Sequence, residues 1–128
     1  MPTHARPLSP HLSAYRFTIT MAMSIVHRAT GIALYAAMLL LAAWLIAAAM
    51  GAGALEVVHL VYGSWFGQLV LFLATWALFH HLLGGVRHLI WDTGAGFSRE
   101  ARFGLAWANL VASVVLTILV WAVFVWFK

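Results

Sequence analysis

The chain has no cysteine, a single lysine, three prolines and three acidic residues among its 128 positions. Without cysteine it can form no disulfide. Nor can it hold a thiolate zinc site or an iron–sulfur cluster of its own, or offer a Cys nucleophile. The shortage of charge excludes more. Only 8% of residues are charged, against 65% hydrophobic, and the mean hydropathy is +0.98. An average soluble domain is about a quarter charged. A 14.1 kDa soluble domain needs polar groups over much of its surface, and ten charged side chains cannot supply them. The natural solvent of this chain is lipid. Nucleotide, zinc-protease and hydrolase signatures are also missing: there is no GxxxxGK[ST], no HExxH and no GxSxG.

The few charges that exist divide the sequence. Twenty-seven uncharged residues separate Arg28 from Glu56, 30 separate Glu56 from Arg87, and 25 separate Arg102 from Lys128. A spanning helix needs about 20 apolar residues, so each run holds one span and is too short for two. Backbone hydrogen bonds must close internally in lipid, so the β-branched third run is read as helix too. The expectation is an all-α membrane protein of a single domain, with transmembrane helices near 25–50, 63–87 and 104–126 in an up-down-up bundle. All three prolines lie in the first ten residues. Residues 1–23 therefore read as an arm lying on the membrane surface, not as a cleavable signal. The segment GAGALEVVHLVY reads as a turn between the first two spans.

Six of the seven basic residues are expected on one side: Arg6, Arg16, Arg28, Arg87, Arg99 and Arg102. The positive-inside rule makes that side, and the N-terminus, cytoplasmic, or matrix in a mitochondrion. The net charge of +4 is thus a topology signal, and nucleic acid is not an expected partner.

Ionisable residues within or beside a span are functional candidates. On the first helix, Ser24, His27 and Arg28 share a face, with Gly31 one turn on. Arg28 alone could simply snorkel to the headgroups. Together the three suit an anionic group or a quinone carbonyl. On the second helix stand His80, His81, Gly84, Gly85, Arg87, His88 and Asp92. His81 and His88 lie on nearly one face, about 10 Å apart along the axis. Gly84 and Gly85 clear volume across the surface His81 would face, although a glycine pair also serves close helix packing. A neutral intramembrane imidazole beside small residues, with cationic Arg87 and His88 toward water, suits a b-type haem. Spacing leaves His80 as a competitor. No other span offers a His at that depth, so a second axial ligand would come from another subunit. Asp92 follows His88 by four residues and can pair with it or with Arg87. A haem-free anchor whose histidines merely pack is the bland alternative. A proton relay through His81, Arg28 and Asp92 is the other; three spans without a repeat argue against a transporter.

Three motifs in order, RPLSPHLSAY (Arg6–Tyr15), SIVHRATG (Ser24–Gly31) and HLLGGVRHLIWD (His81–Asp92), resemble those of the cytochrome b556 membrane-anchor family of succinate dehydrogenase. The resemblance covers most of the chain. It implies His81 as the haem b iron ligand, and a propionate region at His27, Arg28 and His88. It also implies a ubiquinone or menaquinone region at Ser24, Arg28 and Asp92. The partners it implies are a second small membrane subunit carrying the other axial His, an iron–sulfur subunit and a flavoprotein, in a bacterial or mitochondrial inner membrane. Its close alternative is the anchor of a quinol:fumarate reductase.

Overall fold

The computed structural model describes residues 9–127. Among them are a 3-10 turn, Leu12–Ala14, and four α-helices with no strand: α1 Ile19–Met50, α2 Ala52–Gly63, α3 Trp65–Asp92 and α4 Arg99–Trp126. Hydroxyls cap three of these. Thr18 Oγ1 accepts from Met21 N, Ser64 Oγ from Gly67 N, and Ser98 Oγ from Ala101 N. Each satisfies one orphan amide of a first turn. Gly51, at φ +108°, ends α1 in a conformation that suits glycine.

The three long helices are apolar and long enough to cross a membrane. At about 1.5 Å per residue they reach about 42–48 Å, well past a hydrocarbon core of about 30 Å. Against the spans expected near 25–50, 63–87 and 104–126, they run on at the basic end only: α1 starts at Ile19, α3 ends at Asp92 and α4 starts at Arg99. The sequence reading stopped each span near its first charge, but long basic side chains let a helix continue into the headgroups. Two corrections follow. The N-terminal arm, read as 1–23, gives way to α1 at residue 19, and residues 1–8 lie outside the described residues. The supposed turn GAGALEVVHLVY is the helix α2.

Contacts fix the relative directions. His27, early in α1, meets His81 and Gly84, late in α3. Trp121, late in α4, donates to Thr75 Oγ1 in the first half of α3 at 3.3 Å. Successive long helices are therefore antiparallel, and α3 packs on both α1 and α4. This brings Arg16, Arg28, Arg87, Arg99 and Arg102 to one end and Glu56 to the other. Arg6 and Lys128 lie outside the described residues.

The interior is inverted relative to a soluble domain. The buried apolar residues are Met23 and three alanines, Ala47, Ala77 and Ala106. The buried polar ones are Thr30, His80, Arg87, Asn109, Ser113 and Thr117, while large aliphatic and aromatic side chains cover the outside. Small and polar residues let membrane helices approach, because lipid gives no hydrophobic force between them. The hydroxyls are satisfied at home. Thr117 Oγ1 donates to Ser113 O at 2.7 Å, and Ser113 Oγ to Leu110 O at 2.8 Å.

The helix α2 folds back on α1. Trp44 Nε1 donates to His59 Nε2 at 3.2 Å and Tyr62 Oη to Leu40 O at 2.7 Å. Entry into α3 is tight. A Cβ on Gly67 would strike the backbone oxygen of Val61 and lie 2.7 Å from Tyr62 Cα. Backbone cannot yield as a side chain can. Gly67→Ala is therefore expected to destabilise the α2–α3 corner by about 1–3 kcal/mol. The measurement is the thermal denaturation of the detergent-extracted protein. An unchanged midpoint would show that the corner relaxes freely.

Candidate functional site

The site stands where the basic end of α1 crosses that of α3. It is built as an exchange of rings and glycines. The His27 ring of α1 lies over Gly84 of α3, and the His81 ring of α3 lies over Gly31 of α1. A Cβ on Gly84 would strike His27 Cδ2, and a Cβ on Gly31 would sit 3.0 Å from His81 Cε1. Between the glycines the two rings stack, with centroids 4.0 Å apart and planes 12° apart. His88 meets His27 edge-on at 5.4 Å and Trp91 at 5.1 Å. The sequence-predicted residues His27, His81, Gly84 and His88 are thus brought together.

One hydrogen bond sets the chemistry of His81. Its Nδ1 lies 3.1 Å from the His27 carbonyl oxygen. A carbonyl only accepts, so Nδ1 donates, and in the neutral ring Nε2 keeps a lone pair. No group among the described residues hydrogen-bonds Nε2, and it is not enclosed. A neutral imidazole whose Nδ1–H is held by a carbonyl is the form that ligates iron. Among the described residues no cluster of three or more His, Cys, Asp or Glu could hold a bare metal ion. A single exposed imidazole nitrogen suits iron that arrives already held by a macrocycle, so the residues present fit a haem.

Ser24 and Arg28 lie together on the outer side of α1. Arg28 Nη2 donates to Ser24 Oγ at 3.3 Å and Nε to Ser24 O at 3.4 Å, and both residues are exposed. Arg28 heads an apolar groove of about 700 Å³ along α1, lined by Gly31, Ile32, Tyr35, Ala36 and Leu39. Gly31 lines the groove and also meets the His81 ring, which links the two. Tyr35 is 84% exposed in it.

Other expected members go elsewhere. Gly84 is filled by His27, so its smallness serves helix packing and not an open ligand face. Gly85 has open space around it. Arg87, read as cationic company for His81, turns to α4 instead. It is 4% exposed, with its guanidinium 5.1 Å over the Trp91 ring, and among the described residues Nε and Nη1 find no hydrogen-bond partner. It borders a cavity of about 180 Å³ that Asn109, Leu105 and Ala108 of α4 complete. Asp92 is exposed at the last position of α3, away from the stacked rings. His80, the competitor of His81, is 0% exposed in the α3–α4 seam, where Asn109 and Ser113 meet it. Sequence reasoning missed those two. The signal was present: Asn109, Ser113 and Thr117 recur every four residues in an otherwise apolar run.

Comparison with known proteins gives one answer. Residues 2–125 match the family described as succinate dehydrogenase/fumarate reductase transmembrane subunit. The chain is 43% identical over 119 residues to the succinate dehydrogenase cytochrome b556 subunit of Paracoccus denitrificans, covering 93% of this chain and 92% of that one. It is 40% identical to the cytochrome b556 subunit of Rickettsia felis, over 91% and 90% of the two chains. It is also 37% identical to the mitochondrial cytochrome b560 subunit of Mus musculus, over 89% of this chain and 66% of the relative.

Proposed function

The chain belongs to the succinate dehydrogenase/fumarate reductase transmembrane subunit family, and on that premise we propose that it binds haem b through His81 and forms part of a quinone reduction site. The observation that carries this reading is the His81–His27 carbonyl bond, which leaves Nε2 as a ligand beside the groove headed by Arg28. As a subunit of a succinate dehydrogenase, the chain acts with other subunits in the membrane. A second small membrane subunit would complete the haem site. An iron–sulfur subunit and a flavoprotein would deliver electrons from succinate at the basic end. The positive-inside rule puts that end, with the N-terminus, on the cytoplasmic or matrix side of the inner membrane.

The residues divide the work. His81 holds the iron, and bound haem b supplies one-electron exchange. His27, Arg28 and His88 attract the propionates to the basic end, and Gly85 leaves room for the macrocycle. Ser24 and Arg28 hold the quinone, ubiquinone or menaquinone, as it enters from lipid. Their hydroxyl and guanidinium donate hydrogen bonds toward a quinone oxygen, where negative charge develops on reduction. Asp92, exposed at the end of α3, faces the water from which protons come.

Arg28→Ala tests the quinone assignment in the assembled complex. Loss of a charged hydrogen bond, worth about 1.5–3 kcal/mol, should cut quinone reduction at least about tenfold. Succinate oxidation with a water-soluble electron acceptor should be retained. Equal loss of both activities would remove Arg28 from the quinone site.

A further inference from the structure

Two adjacent histidines on a membrane helix create an ambiguity of rotation. Neighbouring residues on α3 point about 100° apart. A turn of that size about the helix axis would put His80 where His81 now stands. Lipid on the outside does not resist such a turn as water would, since the exposed surface is apolar either way. Something must choose between the two settings.

The α3–α4 seam holds a candidate. Asn109 of α4 approaches His80 at two places: Nδ2 lies 3.3 Å from His80 Nδ1 and 3.4 Å from His80 O. An amide has two N–H groups, so one can serve the ring and the other the carbonyl. Ser113 Oγ lies 3.4 Å from the same Nδ1, but its proton goes to Leu110 O at 2.8 Å. Asn109 is therefore the donor. Among the described residues His80 Nε2 has no hydrogen-bond partner, so the ring's polar contacts are at its Nδ1 edge, while the Trp76 ring packs beside it at 5.2 Å. Asn109 is 3% exposed and His80 0%, so water does not compete.

We infer that Asn109 is a positioning residue: by gripping both the ring and the carbonyl of His80, it sets the rotation of α3 and so aims His81 at α1. The grip on the carbonyl matters because it fastens the backbone as well as a side chain. With His80 held against α4, His81 must point toward Gly31 and the His27 carbonyl. The inference rests on the haem reading of His81 and adds a residue on another helix that governs it.

The test uses the assembled complex and two readouts, the low-temperature EPR signal of the oxidised haem and the haem retained per complex. Asn109→Leu should shift the haem signal and weaken haem retention about tenfold, the low end of what changes behind a metal ligand cost, because it acts on His81 through His80 and the helix. His80→Leu should do the same. The double variant should go no further than either single one, because one contact is lost in all three. An unchanged signal in both single variants would overturn the inference. Should Asn109→Leu not accumulate, Asn109→Ser, too short to span to His80, carries the same expectation and the same refutation. His81→Ala separates the two readings. If it leaves the haem signal intact, the ligand assignment fails. If it abolishes the signal while Asn109→Leu changes nothing, only the positioning role fails.

Discussion

A His81→Ala variant of the assembled complex is expected to lose the reducible b-type absorption, to less than about a tenth of the parental level. Second-sphere changes alone commonly cost about 10–100-fold in metal affinity, and here the ligand itself goes. The substitution also deletes the ring that stacks on His27. His80→Ala makes a contrast that spectra can read. His80 lies buried in the seam with α4, so its loss should shift the haem signal and weaken haem retention about tenfold without abolishing the absorption. If His80→Ala abolished the absorption and His81→Ala spared it, the ligand assignment would be reversed.

The second large effect is expected at Gly84. Its added Cβ would strike His27 Cδ2 and lie 2.9 Å from Nε2. A flexible side chain could usually move aside. This ring cannot do so cheaply, because its other face rests on His81 at 4.0 Å. Gly84→Ala should therefore part α1 from α3, costing about 1–3 kcal/mol of overpacking. The damage should be visible without any cofactor, as lower thermal stability and lower accumulation of the apo subunit. Gly85→Leu is the companion experiment. Apart from its own stretch of helix, no atom of the described residues lies within 4 Å of a Cβ there. Its accumulation should stay normal, while haem retention in the complex falls. A Gly84→Ala subunit with unchanged stability would show that the two helices do not depend on this crossing.

Much of the architecture was legible because membranes simplify the code. Charge-free runs between Arg28, Glu56, Arg87 and Arg102 were enough to place three spans. The helix α2 was not legible. A segment of twelve residues is marginal as an isolated helix, and nothing in GAGALEVVHLVY reveals that Trp44 and the Leu40 carbonyl will hold it. In the site, the i, i+3 and i+4 rule grouped Ser24 with Arg28 correctly. Arg87 was read as cationic company for a haem near the water, a reading that rested on its charge and not on its place around the helix. It lies almost in line with His80, seven residues away, and so shares the α4 face. Between His80 and His81, spacing favoured His81 only modestly. Their surroundings differ because α4 offers Asn109 to His80 while α1 offers the His27 carbonyl to His81, and that information lies in two other segments of the chain.

The crossed pair of rings and glycines has a mechanical consequence for the bundle. Each ring sits in a notch on the opposite helix, and the two notches face opposite ways. Sliding α1 along α3 by one turn, about 5.4 Å, would drive both imidazoles onto Cβ-bearing positions. The joint therefore permits no axial slip. When the bilayer thins or thickens, helices adjust by tilting or by shifting past one another. In this protein the second route is closed at the basic end. A change in membrane thickness should then tilt α1 and α3 together as one body, with the His27–His81 stack carried along unchanged.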